Sequence, residues 1–380
     1  MRQEGFCTWR LAGIAGLLFL ALHPGNFAIA GEGKPAWQAD WEKTLQAAKQ
    51  EGQVTLYASQ AYEEVFREFQ KRFPEIRLNM VIGNGGPSAQ RILSERRAGK
   101  NIADLYLSGA ATGYNSLYKG KVLDPIKPLI VLPEVADESK WWRGKHKYMD
   151  DEKMHLFAFN EVVLPFVAYN NKLVNAGEFS SYWDLLQPKW KGKIAAMDPT
   201  MGSAVDTHLV FITSSPALGP NYLHRLLAEM DITASRDARQ IVDWLGSGRY
   251  AISLFTTPSR ADLNVAKDQG LPVDWLGPKS LKEGTGTSTS NGNVGLINRA
   301  PHPNAAKVAI NWLLTREGQI LYQKAQYGSD SLRIDIPKNQ IAGYARRQEG
   351  VQYIETDAPE RRNMDVIRKI IDEAWKKRRS

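Results

Sequence analysis

Apolar and polar residues follow two rhythms along the chain, and the rhythms trade places repeatedly. Gln53 to Ser59 (QVTLYAS) is a short apolar run of strand character. The stretch after it sets Tyr62, Val65, Phe66, Phe69 and Phe73 on one helical face, with Glu63 and Glu64 in the first turn. Ile76 to Gly83 (IRLNMVIG) is a second strand, Ser88 to Gly99 a second helix, and Ala103 to Gly109 (ADLYLSG) a third strand. Strands spaced by helices predict right-handed βαβ units and a parallel sheet.

The alternation breaks in the middle, where His155 to Asn160 and Pro165 to Leu173 are two extended runs in close succession. It resumes with a strand over Lys193 to Pro199 and helices from about Gly202, near Leu223 and near Ala238. Strands over Tyr250 to Thr256 and Leu271 to Gly277 follow. Thr287 to Ala300 is extended again, and the helix after it puts Ala305, Val308, Ala309, Trp312 and Leu313 on one face. The pattern predicts an α/β fold of two lobes: 31–165 in the first, 166–295 in the second, and 296–380 returning to the first lobe and ending in C-terminal helices. A chain that crosses between lobes more than once hinges around a cleft. Ligands of open α/β sheets sit outside the carboxyl ends of the strands.

Composition changes the picture mainly at the N-terminus. Arg2 and Arg10 precede the apolar run Leu11 to Leu22, Pro24 and Gly25 break it, and Ala28-Ile29-Ala30 offers small residues to a signal peptidase. Residues 1–30 read as a secretory signal peptide cut after Ala30. The run of 12 apolar residues falls short of the roughly 20 that a spanning helix needs. The single cysteine, Cys7, leaves with that segment, so disulfides, thiolate metal sites and cysteine nucleophiles are excluded from the mature chain. An exported chain without anchor or disulfide predicts a periplasmic protein. The formal charge of +8 falls by one on losing Arg2, Arg10 and Glu4. No basic stretch interleaved with aromatics speaks for nucleic acid.

Candidate chemistry is scarce. The turn Gly83-Asn84-Gly85-Gly86-Pro87-Ser88 lacks the lysine of a phosphate loop and the last glycine of a dinucleotide turn, as does the run from Gly284. Pro87 suits the first helical position, and the free N–H groups of such a helix end favour an anion. Thr200 to Val205 (TMGSAV) repeats that design after another strand. There is neither an H-E-x-x-H nor a G-x-S-x-G, and His146, His155, His208, His224 and His302 are not at ligand spacing. No constellation carries catalysis, no cofactor motif occurs, and no metal set is assigned. The strand ends instead collect hydroxyls and glycines, which points to Ser59, Gln60, Gly86, Ser88, Ser108, Gly202, Ser203, Thr256 and Thr257 as ligand-binding residues. Arg260, just past Phe255-Thr256-Thr257-Pro258-Ser259, is placed to pair with a phosphate or carboxylate.

VTLYAS, ADLYLS, VAYNNKLV, WDLLQPKWKGKIAAMDP and PHPNAAKVAINWLLTREGQ together resemble the ABC-transporter solute-binding proteins of the ferric-iron-binding type, which are type 2 periplasmic binding proteins. The similarity runs from about Gln53 to Gln323. It implies a two-lobed protein with a ligand cleft at the hinge that captures a small-molecule solute and delivers it to a membrane permease and its ATPase, as a monomer and without catalysis. Ferric binders of this type place a histidine where Ala61 stands, an acid where Gly109 stands, and adjacent tyrosines near Pro258 and Ser259. No two tyrosines are adjacent anywhere in this chain. Relatives on the same framework carry sugar phosphates, phosphonates, thiamine or polyamines, and the hydroxyl-rich strand ends favour an anionic organic solute. A ferric-iron transport protein, a ligand-presenting partner of a periplasmic sensor, and an exported enzyme on this scaffold are the alternatives.

Overall fold

The computed structural model describes residues 35–202, 204–326, 329–361 and 364–376. The signal segment expected over 1–30 and the candidate Ser203 lie outside them. In chain order the strands are β1 (Gln53–Ala58), β2 (Arg77–Ile82), β3 (Leu105–Leu107), β4 (Leu123–Asp124), β5 (Lys147–Tyr148), β6 (Leu156–Ala158), β7 (Asn160–Val163) and β8 (Val167–Asn170). They continue as β9 (Ile194–Met197), β10 (Thr233–Ser235), β11 (Ile252–Leu254), β12 (Val273–Trp275), β13 (Thr285–Ser288), β14 (Asn293–Ile297), β15 (Asp330–Ser331) and β16 (Tyr353–Glu355).

These strands form three sheets. The first has the order β2-β1-β3-β14-β6-β5, with β4 also on β14; the second runs β10-β9-β11-β8-β12; the third, smaller, runs β15-β7-β13-β16. β7 carries the chain from the first sheet to the second, and β13 brings it back to β14. The two lie antiparallel with Thr287 opposite Val163. β16 joins them in parallel from the C-terminal segment. The third sheet is therefore the hinge between two lobes.

Each lobe's sheet is mixed, where the βα alternation predicts a parallel one. β1, β2 and β3 are parallel, as are β9, β10 and β11. β14 and β8, the strands that arrive from the hinge, insert antiparallel beside β3 and β11. Both enter their sheets from the cleft side, so they run against strands that end there.

The helices follow from their apolar faces. In Tyr62–Arg72 the buried residues are Tyr62, Val65, Phe66 and Phe69, with acids in the first turn and Lys71 and Arg72 in the last. That charge arrangement complements the helix dipole, and burying each Phe contributes about 1.5–3 kcal/mol. Ala305, Val308, Ala309, Trp312 and Leu313 are buried in Pro303–Leu314, and Phe66, Phe69 and Trp312 meet at 5.4–5.7 Å between ring centroids. β9 is apolar and buried along its whole length, as a strand covered on both faces must be.

The segment after β14 divides between the cores. Trp312 and Tyr322 belong to the first, whereas Ile354, Ile367, Ile371 and Trp375 are buried in the second. Met364–Ile370 and its continuation Ile371–Lys376 lie against the helix Gly219–Glu229. Where β13 begins, Gly284 has φ +73, and an added Cβ would stand 1.9 Å from the Gln352 carbonyl oxygen. Only glycine permits this approach of the C-terminal segment to the hinge.

Candidate functional site

Between the lobes, against the hinge sheet, lies a cavity of about 390 Å³, within the size range of small-molecule sites. Three walls meet there. The first lobe supplies Gly109, Ala110 and Ala111; the second supplies Ala204, Asp206, Thr207, Thr257 and Arg260; the hinge region supplies Ser288, Ser290, Asn291, Thr356 and Asp357.

The first wall is a helix end. Gly109 precedes the helical turn Ala110–Thr112, which runs on as a wider turn to Tyr118. The first backbone N–H groups of such a segment have no acceptor within it and favour negative charge. The second wall is the start of helix Ala204–Ser214, entered through Gly202 at φ +73. Its own Asp206 stands in the first turn, so part of that positive end is already answered.

Arg260 opens helix Arg260–Asp268 at the third corner. Its Nη1 is buried and has no hydrogen-bond partner among the described residues. Burial lowers its pKa below the ordinary arginine value, with Tyr344 opposing; an arginine remains charged under such a shift. The cavity wall therefore carries a guanidinium with one buried nitrogen that has no partner among the described residues.

Next to it, His208 is fully buried and its pKa is pushed down to about 3, by burial first and then by Arg260. The Thr257 backbone N–H lies 3.2 Å from His208 Nε2 and the Thr257 hydroxyl 2.7 Å. An N–H only donates, so Nε2 is the acceptor and the ring proton sits on Nδ1. Because His208 takes the unfolded-state proton only with difficulty, its contribution to stability is complete above about pH 6.5 and shrinks as pH falls toward 3. The cost is about 1.4 kcal/mol per pH unit in that window. His208→Asn is expected to remove that share of the slope, which denaturant unfolding of both proteins between pH 7 and pH 4 measures.

The hinge contribution is fixed by carboxylate bonds and backbone strain. Asp357 Oδ2 accepts from the Ser288 hydroxyl at 2.9 Å and from the Thr289 N–H and hydroxyl at 2.6 and 3.0 Å. Ser290 has φ 48 and Phe255, at the end of β11, φ 56. Left-handed backbone at non-glycine residues costs on the order of 1–3 kcal/mol and clusters at ligand sites. Ser290 is held there by the Ser288 hydroxyl and by Asn293, whose amide donates to its carbonyl at 3.1 Å.

Of the residues selected from sequence, Thr257 and Arg260 line the cavity. Thr256 is buried behind it, donating to the Pro165 carbonyl at 2.6 Å. Ser108 is buried immediately before the lining residue Gly109, with its hydroxyl 3.4 Å from Asn291. Gly202 borders an adjoining crevice with Thr200, Arg368 and Asp372, which shares Asp206 and Met364 with the cavity. Ser59 is buried beside β3, Gln60 and Gly86 are exposed, and Ser88 is buried in the first turn of Gly85–Arg97; none of the four lines the cavity. Gly109, Asp206, Ser288, Ser290, Asn291, Thr356 and Asp357 line it without being marked by the strand-end pattern. The hydroxyl-rich run Thr287–Asn293 was a usable signal for three of them.

A two-lobed mixed α/β chain of this kind has known counterparts. The model of the family "bacterial extracellular solute-binding protein" matches residues 54–320. The chain belongs to that family. Its members bind solutes for ABC importers and carry out no reaction, and its name places them outside the cytoplasm. IdiA (FutA) of Trichodesmium, solved with iron and citrate, superposes with a TM-score of 0.61 at 19% identity over 85% of this chain and 99% of its own. AfuA of Actinobacillus pleuropneumoniae, solved with fructose-6-phosphate, gives 0.57 at 17% identity over 85% and 98%. The ferric binding protein of Campylobacter jejuni gives 0.58 at 16% identity over 84% and 99%. These likenesses confirm the type 2 two-lobed fold. Among the described residues no three His, Cys, Asp or Glu side chains converge as a metal-holding group.

Proposed function

We propose that the cleft captures a small anionic organic solute in the periplasm and hands it to a membrane permease and its ATPase. The observation that carries this is Arg260, a guanidinium on the cavity wall with Nη1 unpartnered among the described residues. A phosphate or carboxylate on the solute meets its fork and the N–H groups at Ala110 and Ala111. Thr207, Thr257, Ser288 and Ser290 surround that position with hydroxyls. The carboxylates Asp206 and Asp357 also line the cavity and favour hydroxyl or ammonium groups on the rest of the solute. The reading is thus a solute acidic at one end and rich in donors at the other. AfuA, on the same fold, was solved with a solute of that description.

The test is the mass of the purified mature protein under native and denaturing conditions. An excess that vanishes on unfolding and matches a phosphorylated or acidic organic molecule is the expected result. An excess the size of an iron atom overturns the reading in favour of ferric transport. Where the protein purifies empty, a thermal-shift screen across sugar phosphates, phosphonates and organic acids is expected to raise Tm for at least one; stabilisation by cationic solutes alone overturns it.

A further inference from the structure

A second cavity, of about 440 Å³, lies on the other face of the hinge sheet. Strand geometry produces this arrangement, because consecutive side chains point to opposite faces. Val162, Ser288 and Thr356 line the cleft, whereas their chain neighbours Glu161, Thr287 and Glu355 line the second cavity. Its outer wall belongs to the first lobe: Lys127, residues 142–143 and 145–148, and Lys153.

Two of the three carboxylates of this cavity are paired with Lys or Arg, and the third, Glu138, faces a histidine whose pKa burial lowers. Glu161 pairs with Lys147 and, at 3.3 Å, with Arg347; Glu355 pairs with Lys147 at 3.1 Å; Glu138 faces His146 Nδ1 at 3.5 Å. Burial opposes the charge on Lys147, yet Glu161 and Glu355 raise its pKa above the ordinary value. Four further cations, Lys127, Arg143, Lys145 and Lys153, line the same cavity; none forms an ion pair within 4.0 Å among the described residues, and Lys153 acts on Asp151 at longer range. Asp151, two residues before Lys153, pairs instead with Lys119 at 2.7 Å, and Glu152 faces His155 at 3.8 Å. Set against Glu138, these four cations leave an excess of three positive charges around one concavity, which gives it a positive potential.

Tyr148 supplies an independent observation. Its side chain lines the cavity, the residue is 7% exposed, and its hydroxyl has no hydrogen-bond partner among the described residues. The Lys127 ammonium sits 5.9 Å from its ring centroid. A buried phenol left without an acceptor is costly, and that cost is relieved when an oxygen-rich ligand occupies the space beside it.

We propose that this cavity is a second binding site, for a small multivalent oxyanion held by Lys127, Arg143, Lys145 and Lys153 and accepting a hydrogen bond from the Tyr148 hydroxyl. The site is separate from the cleft and does not rest on the nature of the transported solute. Inorganic pyrophosphate is the probe, titrated calorimetrically into the full mature protein at about 0.15 M salt, where diffuse attraction between exposed charges is largely screened. Arg260→Met, which removes the cleft cation, is expected to keep pyrophosphate binding. The double variant Lys127→Gln/Lys145→Gln, altered at two exposed residues, is expected to weaken it at least tenfold. Tyr148→Phe is expected to raise the Tm of the empty protein and weaken pyrophosphate binding severalfold. A phenol that is only a packing defect would give the first effect without the second. No binding to wild type, binding lost in Arg260→Met but intact in the lysine double variant, or an affinity unmoved by Tyr148→Phe each overturns the proposal.

Discussion

Arg260→Met is expected to abolish solute-induced stabilisation while leaving the empty protein at least as stable as wild type. The two halves of this expectation have one cause. The guanidinium is partly withdrawn from water and its Nη1 has no partner among the described residues, so the empty protein bears a desolvation cost that a linear apolar side chain of similar length does not. With the proposed acidic solute bound, charge-assisted hydrogen bonds to its acid group would recover that cost. Truncating one member of such a pair in a desolvated site costs about 2–5 kcal/mol, or roughly 30-fold to several thousandfold in Kd at 1.4 kcal/mol per tenfold. Arg260→Lys should fall between, because it keeps the charge and loses the planar fork. Thermal unfolding with and without the identified solute reads both halves at once. If the Arg260→Met protein were stabilised by the solute as strongly as wild type, Arg260 would be a structural residue and the anion would be held elsewhere.

The fold is legible because it is written locally. The face made by Tyr62, Val65, Phe66 and Phe69 and the face made by Ala305, Val308, Ala309 and Trp312 are periodic patterns, and both are buried as the patterns require. Strand order is not local, and it decides which loops reach the cleft. Gly83–Ser88 and Gly109–Ala111 both follow a strand and open a helix. The first follows β2, an outer strand of its sheet, while the second follows β3, which lies beside β14. Only the second lines the cavity. In sequence the first looks richer, and Gly109 stands out only as the place where iron-binding relatives carry an acid. Asp357 is beyond reach for another reason: it lies past the stretch that resembles the family, and it comes to the cleft because β16 pairs with β13. Thr257 and Arg260 are found because the end of a central strand, β11, is a position that both strand order and local sequence mark.

The hinge sheet that sets these positions should be weakened most by Glu161→Ala, with an expected loss of about 3 kcal/mol, the lower end of the range for one member of a buried pair. Glu161 lies on β7 at 6% exposure, between Lys147 of β5 and Arg347 of the C-terminal segment. It thereby ties one lobe, the crossing strand and the returning chain to a single buried charge. Removing one member of a buried pair typically costs about 3–5 kcal/mol, because the remaining charge is left uncompensated. The lower end applies here: Lys147 keeps Glu355 at 3.1 Å and Arg347 keeps Asp330 at 3.2 Å. The pH dependence separates this cause from loss of packing. Burial works to raise the Glu161 pKa, but Lys147 and Arg347 outweigh it and hold the group below the ordinary glutamate value. Its contribution is therefore present above the unfolded pKa of about 4.3 and is lost as pH falls through the lower folded value. Urea unfolding at pH 7 should show the full difference between wild type and Glu161→Ala, and unfolding at progressively lower pH should show it narrowing. A difference of the same size at every pH would mean that Glu161 acts through its methylenes alone, leaving the hinge to the pairing of β7, β13 and β16.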